Sequence, residues 1–94
     1  MKFAAMIEYS SDREAAKSNG PAHHDYMRSL LDDGRLFAAG PLADHLGALW
    51  IFEAETLDGA EELIRTDPYN AAGVFLNWKI RPLSSWSAKE HKGA

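Results

Sequence analysis

The chain has 94 residues, 46% hydrophobic and 26% charged, which places it among single globular domains and excludes a disordered tail, a collagen-like repeat or a coiled-coil rod. Ten Lys and Arg against fourteen Asp and Glu give a formal net charge of -4, the wrong sign for a phosphate backbone, so no nucleic-acid partner is expected. Cysteine is absent, which removes disulfides, thiolate metal sites and cysteine nucleophiles, and no run nears the ~20 apolar residues of a membrane span, so no membrane contact and a cytoplasmic location are expected.

Residues 2–9 read as a first strand, with Phe3, Ala5, Ile7 and Tyr9 on one face and Ala4 and Met6 on the other. Residues 10–20 are polar and end in Ser18-Asn19-Gly20-Pro21, read as a loop. Pro21 then suits the first turn of a helix over 21–33, because its missing N–H is not needed there. Tyr26, Met27, Leu30 and Leu31 form the apolar stripe of that helix, and Gly34 supplies a left-handed stop. A second strand over 35–39 runs into Gly40-Pro41. After a turn around Asp44 a third strand covers 47–54, where Trp50 and Phe52 alternate with Leu49 and Ile51. Thr56 caps a second helix carrying Leu57, Ala60, Leu63 and Ile64, and Pro68 prevents its continuing past Asp67. The last strand covers 74–83, and residues 84–94 form a polar tail whose apolar exception is Trp86.

The order βαββαβ predicts an α+β, ferredoxin-like domain over residues 1–83, with two helices on one face of a four-stranded antiparallel sheet. Strands one and three are apolar on both faces, and the helices cover only one. The uncovered face points to a homodimer packed sheet to sheet, with Trp50, Phe52 and Trp78 as walls of a ligand cavity in the alternative arrangement.

His23 is the first candidate for chemistry, since its neighbours three, four, seven and eight residues on are Tyr26, Met27, Leu30 and Leu31, which sets the imidazole on the apolar stripe. The topology brings the start of the first helix and the end of the second to one sheet edge, so His23 meets Asp67 there. Asp67 is an odd residue at a helix C-terminus, where the dipole disfavours a carboxylate, and a hydrogen-bonding partner would relieve this. The plainer readings are a structural histidine and an Asp67-Pro68 turn. As a pair, the carboxylate fixes the imidazole tautomer and leaves the other ring nitrogen to move a substrate proton. Gly40 and Pro41 end the second strand at the same edge, and Tyr69 follows Asp67. They are candidate ligand contacts, with a strand-ending turn and rim packing as the structural alternatives. Tyr26, Trp50 and Phe52 are candidate apolar walls. His24 and Asp25 read as a solvated face, and His23, His24 and Asp25 lack the i, i+4 spacing of helical zinc motifs, so neither a metal nor another cofactor is expected.

Three ordered segments carry a resemblance: Pro21-Ala22-His23, then Gly34-Arg35-Leu36 running to Ala39-Gly40-Pro41, then Asp67-Pro68-Tyr69 with Ala72-Gly73-Val74. Over residues 1 to about 83 the chain resembles the YCII-related (YciI-like) proteins. The resemblance implies a dimeric α+β barrel of ferredoxin-like protomers and an active site built on His23 and Asp67. Similar barrels include muconolactone-isomerase-like and dehydrohalogenase-like enzymes. The chain departs from some relatives in its short turn between strands two and three and in its polar tail. Two functions follow as expectations: a cofactor-independent isomerase or lyase acting on a cyclic or carbonyl-bearing small molecule, with His23 as base and Asp67 orienting it, or a non-catalytic dimeric module that binds a metabolite or a partner.

Overall fold

The computed structural model describes residues 1–84, so the tail expected over 84–94, Trp86 included, lies outside the described residues apart from Ser84. In chain order the elements are β1 (Lys2–Tyr9), α1 (Arg13–Asp32), β2 (Leu36–Pro41), β3 (Gly47–Glu53), α2 (Leu57–Arg65), α3 (Pro68–Ala71) and β4 (Phe75–Pro82). The strands form one antiparallel sheet in the order β2-β3-β1-β4, the ferredoxin-like α+β arrangement. None of the described helices is long and apolar enough to cross a membrane.

The period-two alternation of β1 and β3 decides which face is the core. Phe3 pairs with Phe52 and Ala5 with Trp50, and these four are buried with Ile7 beneath Leu30 of α1 and Ala60 and Ile64 of α2. Trp50 and Phe52 therefore face the helices, not the open side of the sheet. Trp78 lies on the covered face too, half-buried, with its indole N–H donating to Glu61 at 2.9 Å. The open face carries Ala4 and Met6 of β1 beside Leu49 and Ile51 of β3, flanked by Lys79 and Arg81 of β4. Met6 is 50% and Leu49 41% exposed, an apolar strip that the helices leave uncovered.

Helix α1 begins eight residues before the expected start. Asp12 caps it by accepting from the Ala15 N–H at 3.0 Å, and Pro21 lies inside the helix instead of opening it. The helix continues through Gly20-Pro21, and two side chains tie down the turn before that pair: the Asn19 amide donates to the Ala15 carbonyl at 2.8 Å, and the Tyr69 hydroxyl to the Ala16 carbonyl at 3.0 Å. At the other end Gly34 takes a positive φ of 83°, as the stop signal predicts.

The close of α2 positions the site. Helix termini leave four carbonyls without partners, and here each finds one. The Glu62 carbonyl accepts from the Thr66 N–H and hydroxyl, Leu63 from the Tyr26 hydroxyl, Ile64 from the Asp67 N–H, and Arg65 from the Asn70 amide. The chain then turns at once into α3. Gly47 fixes the adjacent start of β3, because a Cβ there would meet the Ile7 carbonyl oxygen at 2.1 Å.

Tyr26 thus serves the contact between α1 and the end of α2. Burial first, and then the Asp67 carboxylate, push its phenol up to about 12. A raised folded value means that this contribution is complete below the unfolded value near 10 and is lost as pH rises through about 12. Tyr26→Phe is expected to lower stability by about 1 kcal/mol in urea denaturation at pH 7 and to flatten the fall in stability between pH 10 and 12.

Candidate active site

His23 sits near the middle of α1, ten residues past its start and not in the first turn of the helix expected over 21–33, so the positive end of the α1 dipole is more than two turns away. Asp67 likewise does not terminate α2. It lies two residues beyond Arg65 and caps α3, with its Oδ1 accepting from the Tyr69 N–H at 2.9 Å and Pro68 in the first helical position. The helix terminus that Asp67 meets is therefore one that favours an acidic side chain. The Asp67-Pro68 turn and the His-Asp pair are both present, built on the same carboxyl group.

His23 Nδ1 lies 3.0 Å from Asp67 Oδ1 and 2.8 Å from Oδ2, with Asp67 fully buried and His23 7% exposed. The carboxyl group accepts, so Nδ1 donates and Nε2 is the ring nitrogen that Asp67 leaves free. Nε2 has no hydrogen-bond partner among the described residues. Since no buried side-chain nitrogen or oxygen among them lacks one, Nε2 retains access to the space that His23 lines.

That space is a cavity of about 150 Å³ between α1 and the ends of β2 and β3, bounded by Tyr9, His24, Met27, Gly40, Pro41 and Trp50 together with His23. Tyr69 stacks on the imidazole with centroids 3.9 Å apart and planes 8° from parallel, while Trp50 lies at 6.1 Å and Phe75 meets it edge-on at 6.4 Å. The ring is thus held on both its polar and its flat sides. Burial, and then the Asp67 carboxylate, hold the Tyr69 phenol above its ordinary value.

Of the residues proposed from sequence, His23, Gly40, Pro41 and Trp50 meet at the cavity, with Asp67 and Tyr69 immediately behind and above the imidazole. Tyr26 and Phe52 do not reach it. The Tyr26 hydroxyl is occupied by Leu63, and Phe52 is wholly buried against Trp50, ring centroids 5.3 Å apart. Tyr9, His24 and Met27 also bound the cavity, beyond the residues expected there. Tyr9 carried a signal, since it ends β1 on the covered face at the edge where Gly40 ends β2. His24 is exposed as expected, yet its ring lies 5.5 Å from that of His23. Among the described residues, no cluster of three or more His, Cys, Asp or Glu could hold a metal ion.

Fold and site together define a ferredoxin-like α+β domain with a buried histidine-aspartate pair at one sheet edge. A family model for the YCII-related domain matches residues 1–84, and the chain belongs to that family. Protein YciI of Escherichia coli O6:H1 is 34% identical over 90 residues, covering 81% of this chain and 92% of that protein. The uncharacterized protein YjpA of Bacillus subtilis is 30% identical over 63 residues, 63% of this chain and 74% of that protein. Among solved structures, the 5-chloro-2-hydroxyhydroquinone dehydrochlorinase TftG from Burkholderia phenoliruptrix AC1100, in complex with 2,5-dihydroxybenzoquinone, matches with a TM-score of 0.75 at 23% identity, covering 97% of this chain and 98% of that one. A muconolactone isomerase matches with a TM-score of 0.73 at 12% identity, covering 98% and 97%. At these identities the two structures share the fold, one that enzymes acting on small molecules use.

Asp67→Ala removes the α3 cap and leaves the Nδ1 proton of His23 unpartnered in a buried place. The variant is expected to lose about 2–4 kcal/mol in urea denaturation, and Asp67→Asn, which keeps an acceptor oxygen, less than half of that.

Proposed function

We propose that this protein is a small-molecule enzyme in which His23 and Asp67 carry out general acid-base catalysis on a cyclic, carbonyl-bearing substrate. The observation that carries the reading is the orientation of one imidazole: Nδ1 is held by both oxygens of a buried carboxyl group while Nε2 opens to a cavity. In this reading Nε2 takes a proton from a carbon next to a carbonyl, and Asp67 stabilises the imidazolium that forms. Returning the proton at another carbon gives isomerisation, whereas departure of a leaving group gives elimination. The names of the two structural neighbours, an isomerase and a dehydrochlorinase, denote these two outcomes. Gly40, Pro41 and Trp50 would bound the substrate, and the stacked Tyr69 would keep the imidazole in plane.

We also propose that the working form is a homodimer joined through the open sheet faces. A cavity of about 150 Å³ is small beside the roughly 300 Å³ at which ligand pockets begin. Gly40 and Pro41 also bound a groove of about 280 Å³ that includes Leu49 and Ile51 of the open face, so a second copy seated there would deepen the wall of the site. The exposed Met6 and Leu49 supply the apolar contact.

The catalytic reading is tested with cyclohexane-1,4-dione, whose ring CH2 groups lie next to carbonyls, as probe and imidazole ¹⁵N NMR as readout. The expected result is an Nδ1–H tautomer, a shift of the His23 Nε2 resonance on adding the dione, and protein-accelerated entry of solvent deuterium at the dione's CH2 positions. His23→Gln should slow that exchange by about 100-fold or more. A dione that shifts Nε2 with no accelerated exchange would leave a binding module, and no response at either would remove the ligand site. In sedimentation at micromolar concentration the chain should run as a dimer and Leu49→Glu as a monomer. Monomeric wild type would overturn the dimer.

A further inference from the structure

The chain has three tyrosines, and two have their hydroxyls committed to backbone carbonyls, Tyr26 to Leu63 and Tyr69 to Ala16. Tyr9, the last residue of β1, is the third. Its ring lies parallel to Phe75 with centroids 6.1 Å apart and edge-on to Tyr69 at 6.4 Å, and its N–H donates to the Leu46 carbonyl at 2.9 Å. The β1-β4 register shifts between Glu8 and Tyr9, an irregularity of the kind that re-aims a side chain at a strand end. The Tyr9 hydroxyl has no hydrogen-bond partner among the described residues. No buried side-chain oxygen there lacks one, so this hydroxyl reaches open space. Tyr9 bounds two such spaces, the His23 cavity and an adjoining one of about 220 Å³ toward the start of α1.

We infer that Tyr9 is a substrate-contacting residue of this site, its phenol donating a hydrogen bond to the substrate oxygen that gains negative charge when His23 Nε2 removes the carbon-bound proton. The assignment rests on the acid-base reading above. In the step, the C–H electron pair moves into the carbonyl system and onto the oxygen, the proton goes to Nε2, and the phenol keeps its own proton throughout. When Nε2 returns the proton to carbon, the oxygen reverts to a carbonyl. Burial, then Tyr69 and the Asp67 carboxylate, hold the Tyr9 phenol above its ordinary value, so across the neutral range it is a donor and not a competing base. A neutral donor on a ring fixed by two aromatic neighbours is preorganised for charge that appears only in the transition state. It also supplies what His23 and Asp67 lack, since neither has a proton to offer the oxygen while the base is taking one.

Tyr9→Phe keeps the ring and removes the donor. With cyclohexane-1,4-dione the variant should bind about three- to tenfold more weakly, and its deuterium exchange at saturating dione should slow by about 10- to 100-fold, a larger loss than that in affinity. Tyr26→Phe, whose hydroxyl lies away from the cavity, should match wild type in both. Exchange by Tyr9→Phe at the wild-type rate, with wild type itself active, overturns the Tyr9 assignment and leaves the dyad standing. Wild type that neither shifts His23 nor accelerates exchange overturns the dyad, and Tyr9 with it. Should Tyr9→Phe not fold, the Tyr9 Cζ resonance of wild type decides: a shift on adding the dione supports the contact, and its absence overturns it.

Discussion

One buried carboxyl group organises this end of the molecule. Asp67 is fully buried, and a carboxyl group in that position is tolerated only when its oxygens are engaged. One oxygen accepts from the Tyr69 N–H and so opens α3, and both accept from His23 Nδ1. Capping α3 sets Tyr69 directly after the turn, where its ring covers the imidazole and its hydroxyl reaches the Ala16 carbonyl of α1. The same group therefore fixes the angle between α2 and α3, the rotation of α1 about its axis and the plane of the imidazole. Local capping and the geometry of the site are one constraint, which is why a change at Asp67 must act on stability and on His23 together.

The length of α1 follows from the same contacts. Its first two turns depend on Asp12 at the cap and on the Tyr69 hydroxyl at the Ala16 carbonyl, and they carry His23 away from the helix start. Local propensity argues against a helix through Asn19-Gly20-Pro21, and tertiary contacts override it. The consequence is electrostatic. With His23 in mid-helix, the groups that define its surroundings are Asp67 and the stacked rings, and the start of its own helix lies more than two turns away.

The fold was legible in the sequence wherever periodicity or a cap was strong. The alternation through Phe3, Ala5 and Ile7, the Thr56 cap, the Gly34 stop and the turn at Asp44 all lie as read, with Asp44 accepting from the Leu46 N–H at 2.9 Å. The pairing of His23 with Asp67 was legible because the topology sets α1 beside the close of α2, although His23 lies in mid-helix and Asp67 caps α3 instead of ending α2. What the sequence did not show is which side of β3 faces the helices. Trp50-Phe52 and Leu49-Ile51 are equally apolar, so hydrophobic pattern alone cannot assign the faces, and Phe52 was placed at a site from which it is excluded. Tyr26 lies outside the cavity, and pattern misses this for a related reason. A helical stripe shows that a residue faces inward, but only tertiary structure shows that its hydroxyl is spent on the end of α2.

The small residues at this edge separate into those the backbone requires and those it does not. At Gly47 any side chain would collide with the Ile7 carbonyl, so glycine there is a condition of pairing β3 with β1. At Gly40 an added Cβ would meet nothing within 4 Å, and no positive φ demands glycine. Neither packing nor conformation accounts for it. Gly40 does stand between the His23 cavity on one side of β2 and the apolar groove on the other, and it bounds both. A side chain there would fill space that the fold has no need to leave open. A glycine unexplained by the backbone, at the point where the cavity adjoins the uncovered sheet face, fits a site whose room matters on both sides of the strand.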